Sequence, residues 1–369
     1  MIDMYFAYVL ARKDYFERGH NGSVTHAVGI ADGLAKLIDL DIYSSPSSKR
    51  YIKSKKVNAV NFSNSIYWHF GLLSALFKSR KKYDFVIVRY STSLGWLYCL
   101  VLNLILRKNW GFELNSLGYQ QLQSASKLKS LLGKFVLRPF ENLIMGLTPY
   151  VNCVSENLEA EISRYAKNTY VLPNAGYINE IDVKRVASEK TKIIYFGMYH
   201  YYYDLIGLAK TIASLSDVEL HCYGAGDQEA CLTTISQTSK NIFLHGRYKF
   251  EDLISSGVFD GNIFLVLPYK SGTIADYGSP TKLFEYLSLG LPIISTQVSQ
   301  PYQILKQLKL VANDAVFFYD SDFSSVIDEI KQSASFDRNE ALSYFKNNHT
   351  WDIRAEDYIY SIKVFLNKK

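Results

Sequence analysis

The stretch Tyr277-Gly-Ser-Pro-Thr-Lys-Leu-Phe-Glu-Tyr-Leu-Ser-Leu-Gly-Leu-Pro-Ile-Ile-Ser295 constrains the fold more than any other part of this chain. It begins as a polar turn, continues as a short helix and ends in a buried strand. Ser279 suits the N-cap and Pro280 the first helical position. The free N–H groups of such a helix start favour a phosphate. Glu285 follows about one and a half turns later, roughly 8–9 Å along the axis. That spacing suits a nucleoside diphosphate, with phosphate at the helix end and ribose hydroxyls at the carboxylate. Gly290-Leu-Pro then closes the helix and turns the chain into Ile293 and Ile294. Taken alone, the same residues also describe an ordinary capped helix before a strand, because such caps are common.

The rest of the chain alternates between strand and helix patterns. Residues 5–10, 84–89, 110–114, 151–154 and 170–172 read as strands of a first sheet. Helices are expected over 24–38, near 93–107 and over about 124–145. A polar link covers 174–190. A second set of strands is expected at 192–197 and near 218–223, 241–245, 263–267, 292–295 and 315–318. Such alternation argues for parallel sheets with both faces covered. A length of 369 residues suits two domains, and 48% hydrophobic residues are ample for two cores.

Ser279-Pro-Thr-Lys-Leu-Phe-Glu-Tyr-Leu, followed by Gly290-Leu-Pro-Ile-Ile, resembles the donor-binding signature of the family 4 retaining glycosyltransferases. The resemblance extends over nearly the whole chain. Gly19-His-Asn-Gly-Ser-Val-Thr-His26 is similar to that family's glycine loop after the first strand. Phe112-Glu-Leu-Asn-Ser116 stands where the family has Glu-x-His or Glu-x-Asn. Val154-Ser-Glu-Asn-Leu158 and Leu172-Pro-Asn-Ala-Gly176 resemble its paired "VS…L" and "PNG" elements. Thr350-Trp-Asp-Ile-Arg-Ala355 opens a last helix like the family's own. The resemblance implies an α/β protein of the GT-B fold, two Rossmann-like domains with parallel sheets facing across a cleft. It implies an acceptor-binding domain over 1–175 and a nucleotide-sugar-binding domain over 176–350. The helix of 351–369 is expected to pack back on the first domain.

The same resemblance assigns the candidate residues. Glu285 is expected to hold the donor ribose. Gly278, Ser279, Pro280 and Thr281 would receive the diphosphate, with Asn21, Gly22 and Ser23 approaching it from the glycine loop. Glu113 and Asn115 end one strand and by alternation point the same way, towards the transferred sugar. Two departures from the family pattern matter. Tyr277 stands where many members carry the first of two glutamates, with Asp276 beside it. Gly197-Met-Tyr-His-Tyr-Tyr-Tyr-Asp204 has no cation where many members place Arg and Lys against the diphosphate. Lys282, Arg247 and Lys270 are the available substitutes, and Lys282 is the preferred one. Tyr199, His200 and Tyr203 offer neutral hydrogen bonds.

Charge is uneven. The first 180 residues carry 22 Lys+Arg against 13 Asp+Glu, and the remainder 19 against 22. A positive domain attracts anionic membranes or lipid phosphates. No nucleic-acid module is visible, so nucleic acid is not an expected partner. Between Lys127 and Arg138, helical spacing gathers Leu128, Leu131, Leu132 and Phe135 into one stripe with basic flanks. Residues 94–106 are apolar, too short to span a bilayer, and read as a buried helix. Cys99, Cys153, Cys222 and Cys231 form no CxxC pair, which fits a reducing cytoplasm. No signal peptide is evident at the start of the sequence. Asp39-Leu-Asp41 has the form of a DxD metal motif, but it opens an early strand far in sequence from the donor elements. No metal site and no cofactor are therefore expected.

The function so implied is retaining transfer of a sugar from a nucleotide-diphosphate sugar to a glycan or lipid-linked glycan in bacterial surface polysaccharide synthesis. It would be a metal-independent, hexosyltransferase-class activity on the cytoplasmic side, peripheral to the plasma membrane. A non-catalytic glycan-binding partner and a nucleotide-sugar epimerase of the same fold are the alternatives.

Overall fold

A computed structural model describes residues 4–12, 16, 22–52, 57–59, 65–122, 127–179, 181, 190–320, 322–333 and 337–368. The chain forms two compact units. The first contains 1–176, 277–281 and 349–369, and the second 177–276 and 282–348. Each is built on one parallel sheet, as the alternating pattern predicts.

The first unit runs β1 (Tyr5–Leu10), α1 (Gly22–Leu37), β2 (Asp39–Ser44), β3 (Val57–Ala59), α2 (Ser65–Ser79), β4 (Phe85–Arg89) and α3 (Gly95–Leu106). It continues with β5 (Trp110–Leu114), α4 (Gly118–Leu122), α5 (Lys127–Leu132), α6 (Arg138–Leu147), β6 (Val151–Cys153), α7 (Glu156–Ile162) and β7 (Thr169–Val171). Its sheet has the order β3-β2-β1-β4-β5-β6-β7. The β-branched and aromatic strands are buried on both faces, as parallel strands covered by helices must be. One face packs under α2, α3 and α6 through Trp68, Leu72, Tyr98, Leu102, Ile144 and Met145. The other packs under α1 and the last helix of the chain, α15 (Trp351–Asn367).

The second unit comprises β8 (Thr191–Phe196), α8 (Leu205–Ala213), β9 (Val218–Tyr223), α9 (Glu229–Thr238), β10 (Ile242–Gly246), α10 (Phe250–Ser255) and β11 (Ile263–Leu267). It continues with α11 (Thr281–Leu289), whose first residue belongs to the first unit, then β12 (Ile293–Thr296), α12 (Ser299–Val311), β13 (Val316–Tyr319), α13 (Ser324–Gln332) and α14 (Arg338–Asn348). The sheet order is β10-β9-β8-β11-β12-β13. In both sheets the order reverses beside the first strand, the arrangement of a Rossmann-like fold. Ligands of such sheets bind at the carboxyl ends of the strands near that reversal.

Several expectations need correction. The first helix starts at Gly22, so Gly22 and Ser23 are its opening residues and not a preceding turn. The short strand β3 carries too little pattern to read from sequence. The stretch expected as one helix over 124–145 has a π-helical segment, Gly133–Leu137, between α5 and α6, and 124–126 lie outside the described residues. The apolar run 94–106 is not a buried helix: Trp96, Leu100 and Leu104 of α3 are 39%, 52% and 83% exposed. No described helix is long and apolar enough to cross a membrane.

The seam between α1 and α15 is close. A Cβ at Gly29 would lie 2.2 Å from the Trp351 ring, and Trp351 is itself buried. Gly29→Ala is therefore expected to cost about 1–3 kcal/mol through overpacking. Urea denaturation read by fluorescence checks this. An unchanged midpoint and slope would mean that the seam yields freely.

Candidate functional site

In the first unit the motif residues converge on the carboxyl ends of β1, β4 and β5. Arg89 and Glu113 are direct partners in the β4–β5 register, so their side chains emerge side by side. Arg89 Nη1 donates to Glu113 Oε1 at 2.7 Å. Tyr8 Oη, from β1, lies 3.1 Å from each carboxylate oxygen. His26, in the second turn of α1, brings Nε2 to 2.8 Å from Glu113 Oε1, without good hydrogen-bond alignment. Burial alone would raise the Glu113 pKa. The contacts with His26 and Arg89 outweigh it and hold the carboxyl below its usual value.

Glu113 has no solvent exposure. In this structure it does not face an open sugar site, contrary to the expectation from strand alternation. Alternation gives the face of a sheet but not what covers it, and here α1 does. Asn115 stands just beyond β5, and its Oδ1 is buried with no hydrogen-bond partner among the described residues.

The cluster continues into residues 277–281. His26 Nδ1 bonds Asn174 Oδ1, and Asn174 Nδ2 donates to the Ser279 carbonyl. The Asn174 backbone N–H donates to Ser279 Oγ at 2.8 Å, so that hydroxyl serves the loop after β7. Ser155, the N-cap of α7, donates to the Tyr277 carbonyl at 2.6 Å. A Cβ at Gly22 would sit 2.7 Å from Thr281 Oγ1. Residues 277–281 are thus held by the two short motifs around Ser155 and Asn174, and approached by the start of α1. Gly278 and Pro280 lie half-buried in this segment. Ser23 is exposed on the first turn of α1, and Asn21 lies outside the described residues.

In the second unit α11 carries the other candidates. Lys282 is 8% exposed. Its ammonium donates to Tyr195 Oη and lies 3.7 Å and 4.1 Å from the ring centroids of Tyr195 and Tyr203. Tyr195 Oη in turn donates to the Met198 carbonyl at 2.6 Å. A Cβ at Gly197 would lie 2.2 Å from Lys282 Nζ, and Gly197 has a φ of +143°. Glycine there lets the lysine reach the turn after β8, where the chain itself supplies no cation. Burial drives the Lys282 pKa well down, with Glu285 pulling it back. Glu285, one turn further on and partly exposed, is pushed up to about 7 by burial, against the pull of Lys282. Both groups are driven towards neutrality.

The remaining cations differ in availability. Arg247 follows β10, is exposed and has no ion pair among the described residues. Lys270 Nζ lies 3.5 Å from Asp204 Oδ1. Tyr199 is buried, its hydroxyl without a hydrogen-bond partner among the described residues. His200 Nδ1 lies 3.3 Å from Asp227. Asp276 accepts from the Gly272 N–H at 2.7 Å, within its own loop. Asp41 of the DxD sequence accepts from Tyr5 and Tyr83 at 2.8 and 2.7 Å. Among the described residues no group of three or more His, Cys, Asp and Glu is arranged to hold a metal ion. Sequence reasoning did not single out Tyr8, His26 or Asn174 as site residues. The last two stood inside quoted motifs, but only their contacts reveal the link.

No family model and no curated protein matches this sequence. Solved structures match over its whole length. A lipopolysaccharide outer core galactosyltransferase, WaaB, aligns with a TM-score of 0.68 at 14% identity, covering 98% of this chain and 99% of that one. Sucrose-phosphate synthase from Thermosynechococcus elongatus gives 0.67 at 13% identity, covering 99% and 100%. HepE of Anabaena, solved in complex with UDP and glucose, gives 0.66 at 10% identity, covering 98% and 100%. The fold is of the GT-B type, with two Rossmann-like units.

Proposed function

We propose that this chain is a glycosyltransferase that takes a sugar from a nucleoside diphosphate donor and places it on a hydroxyl of a glycan or lipid-linked glycan. The observation that carries the reading is α11, which sets Lys282 against the turn after β8 and Glu285, partly exposed, one turn further on, with burial pushing each towards its neutral form. A donor supplies what each lacks. Its diphosphate is a counter-charge for Lys282, and its ribose hydroxyls donate to Glu285. The likeness to WaaB and to HepE, which was solved with UDP-glucose, supports the same reading.

In the transfer the anomeric C–O bond to the diphosphate breaks and the diphosphate keeps the electron pair. The acceptor oxygen forms the new bond, and its proton passes to the departing diphosphate oxygen. The chain's task is to stabilise the departing negative charge and the oxocarbenium-like carbon. Lys282 is assigned the first role, with Arg247 and the 278–281 backbone beside the phosphates. Asn115 is assigned to the transferred sugar, because its orphaned Oδ1 lacks a donor that a sugar hydroxyl would provide. Glu113 is assigned a positioning role through Arg89 and His26. Retention at the anomeric carbon, metal-independent hexosyl transfer and a place in bacterial surface polysaccharide synthesis complete the proposal. They rest on the motif resemblance.

A thermal-shift series with UDP-, GDP-, ADP- and CMP-linked sugars in EDTA tests this, because a ligand of the native state alone raises its apparent stability. At least one donor is expected to raise Tm, and turnover with that donor is expected to survive the chelator. Turnover lost in EDTA and restored by Mg²⁺ or Mn²⁺ would overturn metal independence. No shift and no turnover with any donor would favour the non-catalytic reading, to which the cation-free segment Gly197–Asp204 gives some ground.

A further inference from the structure

The α2–α3–α6 layer of the first unit has an outer surface that the sheet does not explain. Its inner residues fill the core beneath. On the outside, α5, the π segment and α6 carry Leu128, Leu131, Phe135, Val136, Leu143 and Leu147, each between 49% and 78% exposed. Their spacing follows one helical stripe across 20 residues, about 30 Å at 1.5 Å rise per residue. α3 packs beside α6, with Asn103 Nδ2 donating to the Leu147 carbonyl at 3.0 Å. Its own exposed ridge is Trp96, Leu100 and Leu104. α2 adds Tyr67, Phe70 and Phe77. Exposed apolar surface on this scale marks an interaction site.

The charges around it select the occupant. Residues 65–147 contain eleven Lys+Arg and three Asp+Glu. Two of those acids, Glu113 and Glu141, are buried, and Asp84 accepts from the Tyr5 N–H at the start of β1. Lys78, Lys81, Lys82, Lys108, Lys129 and Lys134 are exposed. Beside α6 an open groove is lined by Arg138, Leu143, Leu147, Arg164 and Tyr165, two guanidinium groups next to apolar side chains. Arg138 is paired with Glu161 at 2.6 Å, whereas Arg164 is exposed and has no ion pair among the described residues. A symmetric contact with a second copy would bring these cations against themselves.

We propose that this face docks on an anionic lipid bilayer, with the leucine and phenylalanine ridges in the headgroup boundary and the lysines and Arg164 on lipid phosphates. The inference stands on the first unit alone and does not depend on the donor reading. Helices with an apolar stripe and basic flanks bind bilayers in this manner, and each basic residue adds to the attraction.

Co-sedimentation of the full chain with phosphatidylcholine vesicles, with and without a third of phosphatidylglycerol, tests it. Partition to anionic vesicles is expected to exceed that to neutral ones by at least about tenfold and to weaken as salt rises. Lys129→Glu with Lys134→Glu should lower it by at least about tenfold. Phe135→Glu with Leu143→Glu should abolish it. All four side chains are exposed, so thermal melts should match the wild type. Equal partition to both vesicles, or none to either, overturns the proposal. So does a dimer that the Phe135→Glu, Leu143→Glu variant dissociates in the absence of vesicle binding.

Discussion

Glu285→Ala is expected to weaken donor binding by about a hundredfold or more while the protein stays folded. The proposed ribose contacts are charge-assisted hydrogen bonds, each worth about 1.5–3 kcal/mol, and about 1.4 kcal/mol is tenfold in affinity. The neighbouring Leu283, Phe284, Tyr286 and Leu287 supply the core packing of α11 and are untouched by the change. Stability provides the control. The Glu285 pKa lies at about 7 in the folded chain, above its ordinary 4.5. The folded state therefore keeps a proton that the unfolded state releases between those values. Deprotonating it costs stability as pH rises through that window, and the full cost is present above pH 7. At pH 8 Glu285→Ala should melt no lower than the wild type. A variant that binds donor normally removes the ribose assignment, and one that melts early makes the binding loss uninformative. Glu285→Gln, which keeps the shape without the charge, then decides the assignment.

Lys282→Ala is expected to lower turnover by an order of magnitude or more with the matched donor. Each ~1.4 kcal/mol of lost transition-state stabilisation is tenfold in rate, and neutral hydrogen bonds from tyrosines are about half as strong as charge-assisted ones. The pair also makes a signed pH prediction. With burial pushing Lys282 down and Glu285 up, the bound charged pair can form by moving a proton from the acid to the amine. Single replacements expose each half. In Lys282→Met, donor affinity should fall as pH drops below 7, because Glu285 must lose a proton to bind. In Glu285→Gln it should fall as pH rises, because Lys282 must gain one. Isothermal titration across pH 5.5 to 8.5, a range of about 1.5 units either side of the Glu285 value, reads both. An unchanged kcat in Lys282→Ala, or slopes of the opposite sign, would sink the clamp role.

Much of the architecture was legible in advance. Parallel strands buried on both faces need continuous β-branched and aromatic runs, and 85–89, 193–196 and 263–267 have them. The helix expected to start at Pro280 with Ser279 as its cap runs from Thr281 to Leu289, because the Ser279 hydroxyl accepts from the Asn174 N–H instead, and Gly290 closes it at φ +60°. β3 escaped notice because three residues carry no usable period. The half-exposed face of α3 escaped because its apolar residues cover every side of the helix. Hydrophobicity alone then says nothing about which side meets the sheet.

The sequence by itself determined two alternating α/β units, the short helix closed by Gly290 and the spacing of Lys282 and Glu285 on it. These depend on local spacing and capping, which act over a few residues. The tertiary structure alone decided that Glu113 is enclosed by Tyr8, His26 and Arg89, residues 24 to 105 positions away. It alone decided that Asn174 and Ser155 hold residues 277–281, more than 100 positions on. It also wrapped Lys282 in Tyr195 and Tyr203. Burial and charge pairing set the protonation of such groups, and both depend on neighbours that only the completed fold brings within reach.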